Sequence, residues 1–151
     1  MAKILYVAAI LDQASSDLLL QNFPPINSVV LGKHMTIAFE PHWFPICEKL
    51  GQYVVLRVLG EVRDDHGQAA LVAGYESNNY FPHITISHGP EVEASYSNEL
   101  LRTCKILRVG KHPLFLNARV GAIVEGFGPL NPFYSAAGLG PVFSFPERSP
   151  R

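Results

Sequence analysis

A chain of 151 residues has room for one domain and not for two of ordinary size. Hydrophobic residues at 48% and charged residues at 17% make a core-forming composition and exclude a disordered one. A net charge of −1, with six histidines uncounted, leaves no basic field to hold duplex DNA, so a small or short partner is expected.

Ile4–Leu11 (ILYVAAIL) reads as a strand buried on both faces. Eight apolar residues ending at Asp12 are too short for a membrane span and lack a signal-peptide pattern, so no membrane association and a cytoplasmic location are expected. A helix is predicted over Ser15 to Phe23, capped by Asp12 or Ser15, with Leu18, Leu19 and Phe23 on its apolar side and Pro24-Pro25 as its stop. Val29 to Phe39 is the next extended run. Pro41 and Pro45 break the chain, and a short helical turn fits Ile46–Leu50. Tyr53–Val62 and Ala69–Tyr75 read as a hairpin turning at Asp64-Asp65-His66-Gly67. Phe81–Ser87 is another strand. A second helix fits Ala94–Leu107, with Tyr96, Leu100, Cys104 and Leu107 on one face. Leu114–Val124 is a long strand.

From Gly126 the chain becomes rich in Gly and Pro and carries Phe127, Phe133, Tyr134, Phe143 and Phe145. It reads as an extended strap or a tail, without a helix or central strand. The expected division is a domain over 1–125 and a tail over 126–151. The order β-α-β, hairpin, β-α-β predicts an α+β fold of two small lobes, each a sheet with one helix. Cys47 and Cys104 lack metal-ligand spacing and read as two free thiols.

Two segments share a pattern: His34-Met35-Thr36-Ile37-Ala38-Phe39 and His83-Ile84-Thr85-Ile86-Ser87-His88. Alternation along a strand puts His34 with Thr36 on one face and Met35, Ile37 and Phe39 on the other. It likewise groups His83, Thr85 and Ser87 and sends Ile84, Ile86 and His88 to the opposite face, which takes His88 out of the candidate site. A lone His-x-Thr is adequately explained as the wet face of an amphipathic strand. Of the chain's three threonines, however, two follow a histidine by two residues. With six histidines present, chance supplies roughly 0.1 such pairs.

The residue types suit phosphodiester cleavage. One imidazole takes a proton from the attacking oxygen while the other, as imidazolium, gives one to the leaving oxygen. Hydroxyls of Thr36 and Thr85 would donate to the non-bridging oxygens, where charge accumulates. No metal or cofactor is needed. A zinc site on His34 and His83 lacks a third ligand, and Asp64, Asp65 and His66 are better read as a turn. Tyr6, beside the small Ala8, could stack on a base. Lys33 and Lys111 could attract phosphate, and His112 could line the groove. His42 and Trp43 lie between prolines and suit packing better than base binding.

These motifs resemble the two-histidine (2H) phosphoesterase superfamily, whose signature is two His-x-Thr/Ser segments on strands of a bilobal α+β fold. Tyr6-Val7-Ala8, Leu11-Asp12, Phe23-Pro24-Pro25 and the run Gly32 to Pro41 are similar to its small RNA-repair-associated branch and to phage-type enzymes that degrade cyclic nucleotide signals. The resemblance spans roughly residues 3–125. It implies two antiparallel sheets flanking a central groove, His34 and His83 as acid and base, and Thr36 and Thr85 as phosphate binders. It further implies metal-independent hydrolysis of 2′,3′-cyclic phosphate RNA ends or small oligonucleotides. Alternatives are degradation of cyclic oligonucleotide or 2′–5′ oligoadenylate signals, and a nucleotide-binding module without catalysis.

Overall fold

The computed structural model describes residues 4–39, 46–125, 128–135 and 141–143, the last two stretches and 46–47 as backbone only. His42 and Trp43 lie outside the described residues, as do the side chain of Cys47 and the tail aromatics. The chain is α+β. Strands β1 (Ile4–Leu11), β3 (His34–Phe39), β4 (Tyr53–Arg63), β5 (Gly67–Ala73), β6 (His83–His88) and β7 (Leu114–Val124) run in the order β1-β3-β6-β5-β4-β7. Pairing of β1 with β7 closes them into an antiparallel barrel. The short β2 (Val29–Val30) pairs with β6.

The expected two sheets are thus one. The halves that would be lobes, β7-β1-β3 and β6-β5-β4, are joined at β4–β7 by six paired positions, from Tyr53↔Arg119 to Val58↔Leu114. At β3–β6 they meet in the single pair Met35↔Ile84. Each half carries a helix: α1 (Gln13–Asn22) contacts β7 and β1, and, beyond the short α2 (Ile46–Lys49), α3 (Tyr96–Thr103) contacts β5, β4 and β6.

The barrel interior is aliphatic: Val7, Met35, Leu56, Ile84, Ile86 and Leu116 are all buried there. Side chains of β1 are buried on both faces, as its sequence suggests, because Tyr6 and Ala8 pack outside the barrel against Ile123. Asp12 caps α1 by accepting from the Ser15 N–H at 2.7 Å. Leu19 and Phe23 join the barrel core, while Leu18 is exposed.

Helix α3 ends at Thr103, short of the predicted Leu107. The following chain is drawn into pairing, since Arg108 and Glu61 exchange both backbone hydrogen bonds at 2.8 Å. The Asp64–Gly67 segment is the expected turn, with Asp64 Oδ1 accepting from the N–H groups of His66 and Gly67. Beyond residue 125 the Gly/Pro-rich segment does form strands: β8 (Gly128–Ser135) pairs with β7, and β9 (Pro141–Phe143) pairs with β8. Among the described residues, no helix is long and apolar enough to cross a membrane.

Candidate active site

Met35 and Ile84 point into the barrel, so their neighbours point out. That pair stands between the histidine and the threonine of each motif, His34 and Thr36 on one strand and His83 and Thr85 on the other. All four side chains line one cavity of about 500 Å³ on the outer wall of the barrel. Tyr6 and Lys33 line it as well. His112 does not: it belongs to a separate depression with Lys111 and Arg57, because the chain after α3 is held at Arg108 against β4.

Each motif strand also contains a bulge, and at the same place. On β3, Val7 pairs with Ala38 and Ala8 with Thr36, leaving Ile37 without an opposite residue. On β6, Gln68 pairs with Ser87 and Ala69 with Thr85, leaving Ile86 in the same position. An extra residue inverts the alternation beyond it. Two assignments made from alternation are corrected by this. Phe39 and His88, assigned to the back of their strands, line the cavity. Ser87, assigned beside Thr85, is instead buried in hydrogen bonds with Gln68 Oε1 at 2.7 Å and Asn27 Oδ1 at 3.1 Å.

The strand carrying His34 is set by its approach. Gly32 adopts φ +73, and a Cβ there would stand 2.8 Å from a Leu20 methyl, so only glycine fits without strain. The Gly32 N–H donates to the Thr85 carbonyl at 2.8 Å, and the Gly32 carbonyl accepts from Ser16 Oγ at 2.8 Å. One residue thus ties α1 and the second motif to the start of the first. From the other end, Ser77 Oγ donates to the Thr36 carbonyl at 2.8 Å and Asn78 N–H to the Ile37 carbonyl at 2.7 Å. The same loop fixes His83: its Nδ1–H donates to the Phe81 carbonyl at 2.7 Å. That bond selects the tautomer and leaves Nε2 to titrate toward the cavity.

Both catalytic candidates are held below the usual histidine range. Burial and then the nearby His83 push His34 down to about 4. Burial also lowers His83, which is only 7% exposed, while its bond to the Phe81 carbonyl works the other way by favouring the charged ring. Both imidazoles are therefore mainly neutral at pH 7. Thr85 Oγ1 lies 2.7 Å from Ser97 Oγ, in the first turn of α3, and 3.4 Å from the Ala94 carbonyl. With Ser97 as donor, the Thr85 proton goes to the Ala94 carbonyl across the long 3.4 Å contact, which a phosphate oxygen would have to displace. Ser97 escaped sequence reading because a serine in an amphipathic helix carries no pattern of its own. The cavity is completed by Asn79, Asn98 and the segment Val92–Ser95, whose residues show no periodicity to read.

Among the described residues, no three His, Cys, Asp or Glu side chains gather as metal ligands. Comparison of the chain with models of known families, with curated proteins and with solved structures gives no match.

Proposed function

We propose that this chain is a phosphodiesterase of the two-histidine type, hydrolysing nucleotide phosphodiesters at 2′,3′-cyclic phosphate ends or in small oligonucleotides. One observation carries the reading: two His-x-Thr segments, distant in sequence, line one cavity with both histidines and both threonines, on strands that meet at Met35 and Ile84. In this reading the halves of the barrel are the two lobes of that superfamily, and the cavity at their thinnest junction is the groove between them.

His34, the more strongly held in its neutral form, accepts the proton of the attacking water or hydroxyl. Its oxygen forms the new P–O bond as the bond to the departing oxygen breaks. His83, whose Phe81 partner favours the charged ring, delivers a proton from Nε2 to that departing oxygen. The phosphate's own negative charge raises both rings, so one imidazolium forms on binding. Thr36 and Thr85 donate to the non-bridging oxygens. Lys33, at the exposed rim, adds attraction for the anion.

Turnover of adenosine 2′,3′-cyclic phosphate and of adenylyl-(2′→5′)-adenosine in EDTA tests the proposal. Activity should persist in EDTA and follow a bell-shaped pH profile. His34→Ala and His83→Ala should each lose about 10²–10⁴-fold, the usual worth of one proton transfer. Wild-type rates in either variant would end the acid–base assignment. Tight binding without turnover would favour a nucleotide-binding module instead.

A further inference from the structure

The cavity that holds both motifs also holds a carboxylate. Among its lining residues Glu93 is the single acid, in a cavity where Lys33, His34 and His83 suit an anion. Glu93 is exposed, and among the described residues its carboxylate has no hydrogen-bond or ion-pair partner. Four other glutamates are engaged: Glu61 by Gln68, Glu76 by Lys49, Glu91 by His66 and Glu99 by Arg102. A carboxylate beside a phosphate repels it. Its place there makes sense with a ligand that brings donors to it.

The segment that carries Glu93, between β6 and α3, is braced from behind by the Asp64–Gly67 turn. Gly89 N–H donates to the His66 carbonyl at 2.9 Å, and His66 Nδ1–H donates to Glu91 Oε1 at 2.8 Å. Tyr96 Oη donates to Asp64 Oδ2 at 2.5 Å, and Tyr96 N–H to the Glu93 carbonyl at 3.0 Å. Gly67 permits this contact, since a Cβ there would stand 2.8 Å from the Tyr96 ring. The turn thus holds the chain on both sides of Glu93, and the carboxylate meets the cavity from a braced backbone.

A carboxylate accepts and does not donate, so the base edge that suits Glu93 carries two adjacent donors. Guanine N1–H and its N2 amino group form that pair. Adenine and cytosine each set one amino donor beside a ring-nitrogen acceptor, and uracil sets its one N–H between two carbonyls. Each of these would bring a lone pair against the carboxylate. Asn98 lines the same cavity, and its amide, likewise without a partner among the described residues, can donate to guanine O6. We infer that Glu93 selects guanine, its two oxygens accepting from N1–H and N2–H of the base whose nucleoside carries the phosphate. This rests on the phosphodiesterase reading and adds a base preference to it.

The test measures, on the full chain, calorimetric Kd for the 2′-monophosphates of guanosine, adenosine, cytidine and uridine, and kcat/KM for the 2′,3′-cyclic phosphates of guanosine and adenosine. The guanosine monophosphate should bind about 5- to 150-fold more tightly than the adenosine one, the worth of one bidentate base contact. Glu93→Gln, of nearly the same volume, should remove that preference and turn it toward adenosine, because an amide donates to adenine N1 while accepting from N6. Glu93→Ala should leave the four bases nearly level. Equal affinities in the wild type, or preference for another base, would overturn the inference. So would a guanine preference that survives Glu93→Ala, or no binding of any of the four. If guanosine is preferred through Glu93 but neither cyclic phosphate is cleaved, the hydrolase reading fails and the base site stands. If both cyclic phosphates are cleaved at equal kcat/KM, the hydrolase reading stands and guanine selection fails.

Discussion

Strands β3 and β6 carry nearly the same sequence grammar and hold it in different ways. Both run His-x-Thr-Ile, both bulge at the isoleucine, and both turn the sixth residue back to the cavity. Their supports differ. His83 and Thr85 are braced by named partners, the Phe81 carbonyl and Ser97 Oγ. His34 is instead packed, its ring 5.3 Å from that of Tyr6, and burial depresses it to about 4. The lesson is that a repeated backbone device can place two identical side chains in different surroundings, one ring hydrogen-bonded to a carbonyl and the other packed against an aromatic.

The comparison breaks most readily at its centre. Met35 and Ile84 are both fully buried and form the one pair that joins the two motif strands. Met35→Ala and Ile84→Ala should each cost about 2–5 kcal/mol in urea unfolding, since each leaves a cavity in a packed interior. Similar losses would support an equal part for the two strands at their junction. A large loss in one and none in the other would refute it.

A smaller effect sharpens the difference between the strands. His34 is held near 4 in the folded chain against about 6.5 when unfolded. Between those values the unfolded chain binds more protons, so stability rises with pH. The contribution is complete above about 6.5 and is lost as pH falls through 4, a change of about 3 kcal/mol at most. His34→Gln should flatten much of that slope in denaturant titrations at pH 4 and pH 7. An unchanged slope would mean that His34 is not desolvated as described.

Much of this was legible in the residues. The strands of the barrel, the Asp12 cap, the Asp64 turn and the outward aim of both motifs follow from alternation, capping and turn chemistry. What alternation could not supply is a bulge, because an extra residue is defined by the partner strand and leaves no mark on its own. Hence Phe39 and His88 were assigned to the wrong face and Ser87 to the site. Closure of two expected sheets into one barrel was hidden for a related reason: the β1–β7 pairing joins residues more than a hundred positions apart. The short α3 reflects competition, with Arg108 paired to Glu61 where helical spacing alone would have continued to Leu107.

Histidine NMR offers the most direct check, with the imidazole resonances of residues 34 and 83 followed through pH in the empty chain and at saturation with adenosine 2′-monophosphate. Both rings should titrate below the ordinary range when empty, His34 at about 4, and both should move upward together as the phosphate enters between them. A ligand that shifts one ring and leaves its counterpart untouched would contradict a shared phosphate site.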